Sequence, residues 1–333
     1  MAEARRPTIR DVAAAAGVSK SLVSLHYSGG GVSEERRARI VEAAERLGFR
    51  PNLTARALSA SDGGFTGVLV ADLGHSVFAE VVDAARAALA RSGRAALLTS
   101  AMLPDADGVP RLDERALAIF GDLRPRSVLV VGSIPDLAAL AGLVSGTPIV
   151  VASAASEGAD VAATVRSDDV AGIRMAVDHL VSRGHRRIAH IGGRGGAVAT
   201  RRAEAFAAAL SAHGLEAQVA PSDFTEEGGH AAARSLLAEG RQAPTAVVAA
   251  NDLAAVGALA AATATGAALA VTGYDDSRIA RLPQVSLTSV DPRNAEIGAA
   301  AAERILAVEA GTEPPAETLV APRLVVRSTT PPA

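Results

Sequence analysis

From Phe65 onward the chain alternates short, almost uninterrupted apolar runs with alanine-rich stretches, and few architectures accept that alternation. The runs are "TGVLVA", "AALLTS", "SVLVVG", "PIVVAS", "RIAHIGG", "AVVAAND" and "LAVTGYD". Each is strand-sized and apolar at consecutive positions, so both of its faces must be covered. Helices on both sides of a parallel sheet give that cover, which predicts an α/β body. About 270 residues carry the pattern, more than one such layer needs, so two lobes are expected.

The first sixty residues read differently. Thr8 and Asp11 in "TIRD" make a capping-box start, and Ile9, Val12, Ala13 and Ala16 recur at helical spacing before Gly17 stops the helix. A second helix follows, with Ser19 as its cap and Leu22 and Val23 facing inward. After Gly29 to Gly31, Ser33 is placed to cap a third helix with the apolar stripe Ile40, Val41, Ala44 and Leu47. Two short helices joined by a tight glycine turn form a helix-turn-helix unit. Residues 1–60 hold ten Lys/Arg against six Asp/Glu, whereas the rest holds twenty-three against thirty. A small basic module on an acidic body predicts an anionic partner such as nucleic acid. Lys20 is the only lysine in the chain. The plain alternative is that a chain-wide arginine bias left one solvated lysine there.

Several classes of function find no support. There are no cysteines, which excludes disulfides, thiolate metal sites and cysteine nucleophiles and fits a reducing compartment. No long charge-free apolar run and no apolar stretch behind "MAEARRPTIRD" is present, so neither a membrane span nor a secretion signal is read, and the cytoplasm is expected. "GGRGG", Gly192 to Gly196, follows a strand but lacks the spacing of a dinucleotide or phosphate loop. His179, His185 and His190 lack metal-site spacing. No catalytic residue, metal or cofactor is therefore assigned. A solute-binding protein would share the α/β body, but it needs a secretion signal and has no use for the helix-turn-helix.

The runs "TIRDVAAAAGVSKSLVS" and "VSEERRARIVEAAERLGFRPNLTARAL" resemble, without gaps, the N-terminal domain of the LacI/GalR family of transcription regulators. "FAEVVDAA", "DDVAGIRMAVDHLVSRGHRRIAHIGG", "RRAEAFAAAL", "AVVAANDLAAVGAL" and "VTGYDDS" resemble successive landmarks of its effector domain. The resemblance implies an all-α helix-turn-helix domain over residues 1–50 and a hinge over 51–64. A periplasmic-binding-protein-like effector domain then fills 65–333, with lobe 1 near 65–183 and 292–321 and lobe 2 near 184–291 and 322–333. It also implies a homodimer on pseudo-palindromic double-stranded operator DNA, most simply a repressor, with a small-molecule effector between the lobes. The alternative is a DNA-binding regulator whose effector response is lost or changed. No leucine heptad follows the last strand candidate, so a dimer is expected rather than a tetramer.

In that family the second helix enters the major groove, so the DNA-contact candidates are Thr8, Ser19, Lys20, Ser21, Ser24 and Leu25. Lys20 can reach guanine O6 and N7 or a phosphate, and Ser21 can bond any base. Leu25 stands where polar side chains are common, so apolar contact with a thymine methyl is expected there. His26 replaces a buried aliphatic residue and reads as a partly buried, hydrogen-bonded histidine; Ser28 replaces the usual asparagine. In the hinge, Asn52 can cap a helix from Leu53 to Leu58, too short to be stable in water alone. The resemblance pairs two such helices over the minor groove, with Ala55 at their contact, Arg56 on DNA and Leu58 as the wedge.

The effector candidates that the resemblance implies are Arg202, Asn251 and Asp275, with Phe78 and Asp168 more loosely matched. Such a set suits a polyhydroxylated ligand, because each buried hydroxyl needs a partner. Asn251 can instead cap a helix and Asp275 a turn. Two departures weaken the hexose reading. Ser153 and Ala154 replace an Asp-Arg pair, and His75, Ser76, Val77 and Phe78 replace an Asn-Pro-Phe-Phe run.

Overall fold

The computed structural model describes residues 7–27, 30–49, 64–100, 102–104, 110–144, 146–156, 159–194 and 196–333. Ser28 and the whole expected hinge helix, including Asn52, Ala55, Arg56 and Leu58, lie outside them.

The head is three helices, α1 (Ile9–Ala16), α2 (Lys20–Tyr27) and α3 (Glu34–Leu47). The capping box is formed: Thr8 Oγ1 accepts from the Asp11 amide at 3.4 Å, and the Thr8 amide donates to Asp11 Oδ2 at 2.7 Å. Gly17 ends α1 at φ 62°, a left-handed conformation that glycine adopts without a Cβ clash, and the chain turns at once into α2. Arg39 of α3 fastens that turn by donating to the Ala16 carbonyl at 2.6 Å and the Gly17 carbonyl at 3.1 Å. Val12, Val23 and Ile40 are fully buried at the centre, worth roughly 1.5–3 kcal/mol each. Two local expectations fail. Ser33 precedes α3 without a capping hydrogen bond, and Val41 is exposed because the inward stripe runs through Ile40, Ala43 and Ala44.

The body contains two six-stranded sheets. In the first lobe the strands are β1 (Phe65–Val70), β2 (Ala95–Ser100), β5 (Ser127–Val131), β6 (Ile149–Ala152), β7 (Ala163–Ser167) and β13 (Glu317–Val320), ordered β13-β7-β6-β5-β1-β2 and all parallel. A short hairpin of β3 (Met102–Pro104) and β4 (Pro110–Leu112) stands apart. The second lobe has β8 (Ile188–Gly193), β9 (Gln218–Ser222), β10 (Ala246–Ala249), β11 (Ala270–Tyr274), β12 (Thr288–Asp291) and β14 (Arg323–Val325), ordered β14-β12-β11-β10-β8-β9, with only β14 antiparallel.

Both faces of the central strands of each sheet are covered, as continuous apolar strands require, while the edge strand β2 stays largely exposed. In the first lobe Val68, Val70, Leu129 and Val131 point toward α4 (Ser76–Arg91) and α11 (Asn294–Glu309). Leu69, Val128 and Val130 point the other way, toward α5 (Glu114–Asp122) and α6 (Leu137–Leu143). In the second lobe α9 (Glu226–Leu237) and α10 (Asp252–Thr265) cover one face. They approach so closely that a Cβ on Gly257 would stand 2.1 Å from the Glu226 carbonyl oxygen, so only glycine fits there.

The other face of the second sheet carries α8 (Ala197–Ala212) and α7 (Asp169–Ser182). This corrects the expected lobe boundary. Ile173, Ala176, Val177 and Leu180 of α7 share a core with Phe206, Val248 and Tyr274, so the chain passes to the second lobe after Ser167 and not near residue 183. It returns between β12 and α11, and crosses again between β13 and β14.

Candidate functional site

On α2, Lys20, Ser21, Ser24 and Leu25 are all exposed, while Val23 behind them is buried. The spacing i, i+1, i+4, i+5 puts them on one outward face. Ser19 caps the helix by accepting from the Leu22 amide at 3.1 Å, and Thr8 is committed to its capping box. Leu25 lies over Gly30, where a Cβ would come within 2.2 Å of its Cδ1. His26 is half-buried with its ring edge-on to Tyr27 at 4.9 Å.

The second site is a cavity of about 800 Å³ between the two lobes, lined from both. Its floor is Arg202 of α8. Nε donates to Asp169 Oδ1 at 2.9 Å and Nη1 to the Ala250 carbonyl at 2.5 Å, while the guanidinium lies 3.5 Å over the Tyr274 ring. Burial opposes this charge, but Asp169, with Tyr274 and Asp275, holds the guanidinium pKa above its usual value. Arg166 and Arg201 also approach Asp169, at 3.8 and 3.9 Å.

Asp275 lines the same cavity, and its carboxylate makes no side-chain hydrogen bond among the described residues although it is only 7% exposed. Burial pushes its pKa up, Arg202 pulls it down, and Asp169 and Glu80 push it up further. Its backbone is held at φ 114°, a strained conformation for a residue with a Cβ. Beside it, Asp252 accepts from Ser289 Oγ at 2.5 Å and from the Ser277 amide at 2.7 Å. Asp276 pairs with Arg327 at 2.6 Å and Arg281 at 3.2 Å, and Arg281 reaches across to Glu80 of α4 at 3.9 Å.

The first lobe contributes Phe78, whose ring stacks on His75 at 5.0 Å between centroids. His75 Nδ1 and Ser153 Oγ are buried without hydrogen-bond partners among the described residues, and Ser153 is at φ 60°. Burial, with Arg202, lowers the His75 pKa against the opposing pull of Asp72 and Asp252, so the ring is neutral near pH 7.

Of the five effector candidates, Phe78, Arg202 and Asp275 meet in the cavity. Asn251 and Asp168 do not. Asn251 caps α10 through the Ala254 amide at 2.9 Å and donates to the Phe224 carbonyl at 2.9 Å, so its amide is used at both ends. Asp168 caps α7 through the Ala171 amide at 3.0 Å, and its neighbour Asp169 makes the Arg202 contact. The only hint in the sequence was the Asp-Asp doublet itself, one residue to cap and one to face the strands. The three histidines are structural: His179 meets Thr330, His185 meets Thr245 and Pro331, and His190 meets the Val248 carbonyl and stacks on Phe206. No cluster of His, Asp and Glu among the described residues has metal-site geometry. A second depression, about 840 Å³, lies under the first lobe, where Glu309 is bonded by Ser127 and Arg94.

Residues 8–52 match the model of bacterial regulatory proteins of the lacI family, and residues 177–330 match a periplasmic binding protein-like domain. The HTH-type transcriptional regulator MalR of Streptomyces coelicolor is 32% identical over 339 residues, 97% of this chain and 96% of MalR. The chain belongs to the LacI family of transcriptional regulators. It is a DNA-binding regulator and not an enzyme. The lac repressor dimer bound to operator and the anti-inducer ONPF has the same fold, with TM-score 0.84 and 23% identity over 98% of this chain and all of that one. The CelR-cellobiose complex gives TM-score 0.69 and 28% identity, covering 97% of this regulator and all of CelR. No helix among the described residues is long and apolar enough to cross a membrane.

Proposed function

We propose that this regulator is a cytoplasmic, dimeric repressor of a pseudo-palindromic operator, switched by a sugar-like molecule held between its lobes. The observation that carries the switch is Asp275, a carboxylate 7% exposed that faces an interlobe cavity and makes no side-chain hydrogen bond among the described residues. Burial raises its pKa, and vicinal hydroxyls in the cavity would supply donors that favour the ionised form. The cellobiose held by CelR supports a ligand of this kind. On the DNA side, the outward face of α2 would enter the major groove, with Lys20 and Ser21 on bases or phosphates, Ser24 beside them and Leu25 against a thymine methyl. Thr8 and Ser19, at helix N-termini, would sit near phosphates. Asn52, Ala55, Arg56 and Leu58 would form the minor-groove hinge.

For dimerisation, the first lobe offers the edge strand β2 with Leu97 and Leu98 exposed, and Leu103 and Ile119 exposed nearby in sequence. An unpaired apolar edge is a surface that a second copy covers. A ligand preferring one lobe arrangement shifts operator affinity by its differential affinity for the two states, and β1 begins directly after the hinge. Fragment selection with footprinting tests this: it should return an inverted repeat, and asymmetric single half-sites would contradict the dimer. Lys20→Ala should weaken the specific complex by about 1–3 kcal/mol if it reads a guanine. An unchanged affinity and salt dependence would return Lys20 to the solvated alternative.

A further inference from the structure

The outward face of α2 rests on little packing of its own. Val23 is the one buried side chain of this helix, whereas α1 buries Val12, Ala13 and Ala16 and α3 buries Ile40, Ala43 and Ala44. A single buried contact lets an eight-residue helix pivot about it unless one end is held elsewhere. The turn ahead of Lys20 is held. One nitrogen of Arg39, Nη2, donates to both the Ala16 carbonyl at 2.6 Å and the Gly17 carbonyl at 3.1 Å. The last carbonyls of a helix lack amide partners within it and carry partial negative charge. No basic residue stands in the last turn of α1, so the cation that answers this charge comes from α3. Gly17 leaves it room, since a Cβ there would stand 2.6 Å from Nη2.

The tilt of α2 matters because of leverage. Lys20 lies three residues before Val23, about 4.5 Å along the axis, and its ammonium reaches roughly 6 Å further. A pivot of about 10° then carries that ammonium roughly 2 Å, more than a hydrogen bond to a base edge tolerates. Contacts to phosphates survive such a shift, but base reading does not. Resting on the reading of α2 as the helix that enters the major groove, we infer that Arg39 is a positioning residue for operator recognition. Without touching DNA, it holds the α2 tilt at which Lys20 and Ser21 meet base edges.

Fluorescence anisotropy with the full-length protein tests this, using the inverted repeat returned by fragment selection and a random-sequence duplex of the same length across a salt series. Arg39→Met keeps the apolar stem and removes the donors. It should bind the repeat about tenfold or more weakly, the scale of a lost charge-assisted hydrogen bond. Its affinity for the random duplex should stay within about twofold, with an unchanged salt slope. Arg39→Lys keeps the charge on a shorter stem that reaches one carbonyl at most, so it should fall between Arg39→Met and wild type. Thermal melts show which variants fold, and a folded Arg39→Lys with wild-type affinity for the repeat overturns the inference whether or not Arg39→Met folds. Weaker binding to both duplexes, with a salt slope smaller by about one, makes Arg39 a phosphate contact and also overturns it. Wild-type discrimination in Arg39→Met beside a loss in Lys20→Ala overturns positioning by Arg39 and leaves α2 in the groove. Discrimination that is absent in wild type, or unchanged in both Arg39→Met and Lys20→Ala, overturns the α2 reading and this inference together.

Discussion

Among the groups lining the cleft, Arg202 of the second lobe is already bonded to Asp169 and the Ala250 carbonyl, whereas His75 Nδ1 and Ser153 Oγ of the first have no hydrogen-bond partner among the described residues. Arg202 is held by Asp169, the Ala250 carbonyl and the Tyr274 face; Asp252 by Ser289 and Ser277; Asp276 by Arg327 and Arg281. Opposite them, His75 Nδ1 and Ser153 Oγ are buried and unpartnered. The first arrangement holds its geometry without a ligand, since each group fixes the next. Asp275 belongs to the rigid wall by position and to the unfinished wall by chemistry, and it is where an effector would join the two.

The largest effect that can break this comparison is on stability. Asp169→Ala strips Arg202 of its carboxylate and leaves a buried charge, which should cost about 3–5 kcal/mol in urea unfolding. A loss under ~1 kcal/mol would show that the wall is not held by this pair.

The sheets were legible in the sequence because a strand covered on both faces must be apolar throughout, and all seven apolar runs are strands. The missed strands β7, β9, β12, β13 and β14, and the short hairpin β3 and β4, are three to five residues long and interrupted by polar residues or proline. Ser167 bonds the Tyr274 hydroxyl and Thr288 bonds Thr330, partnerships invisible in one dimension. The boundary after Ser167 was missed for a similar reason: the stripe Ile173, Ala176, Val177, Leu180 says that α7 is buried, not in which lobe. In the site, Arg202, Asp275 and Phe78 were read through family resemblance, while Asn251 and Asp168 proved to be helix caps. Sequence position places a side chain near a strand end, but only geometry shows whether a helix amide has already taken it.

A smaller effect concerns pH. The folded Asp275 pKa lies above the ordinary 3.8, so the free native state keeps this proton to higher pH than the unfolded chain does. Its contribution to stability is therefore present below the ordinary carboxylate pKa and lost as pH rises through the raised one. Ligand donors favour the ionised form, so effector affinity should rise with pH across that window, by at most about 1.4 kcal/mol per pH unit for one proton. Calorimetry in buffers of different ionisation enthalpy should find proton release on binding, and proton uptake would reverse the assignment.

The smallest effects sharpen the unfinished wall. Ser153→Ala should leave unfolding stability within about 0.5 kcal/mol, because its hydroxyl has no native partner to lose. The same change should weaken effector binding by about 0.5–1.5 kcal/mol, the worth of one hydrogen bond. The reverse pattern, lost stability with ligand affinity intact, would make Ser153 a structural residue.

Operator affinity measured against effector concentration, in wild type and Asp275→Asn, tests the interlobe switch most directly. The substitution removes a carboxylate that makes no side-chain hydrogen bond among the described residues, so effector-free operator binding should be unchanged, while stability shifts only as the loss of its raised-pKa titration requires. The account predicts that the effector concentration needed to shift operator affinity rises about tenfold or more, the loss expected for charge-assisted hydrogen bonds. An Asp275→Asn protein that answers the same effector at the same concentration as wild type would contradict it.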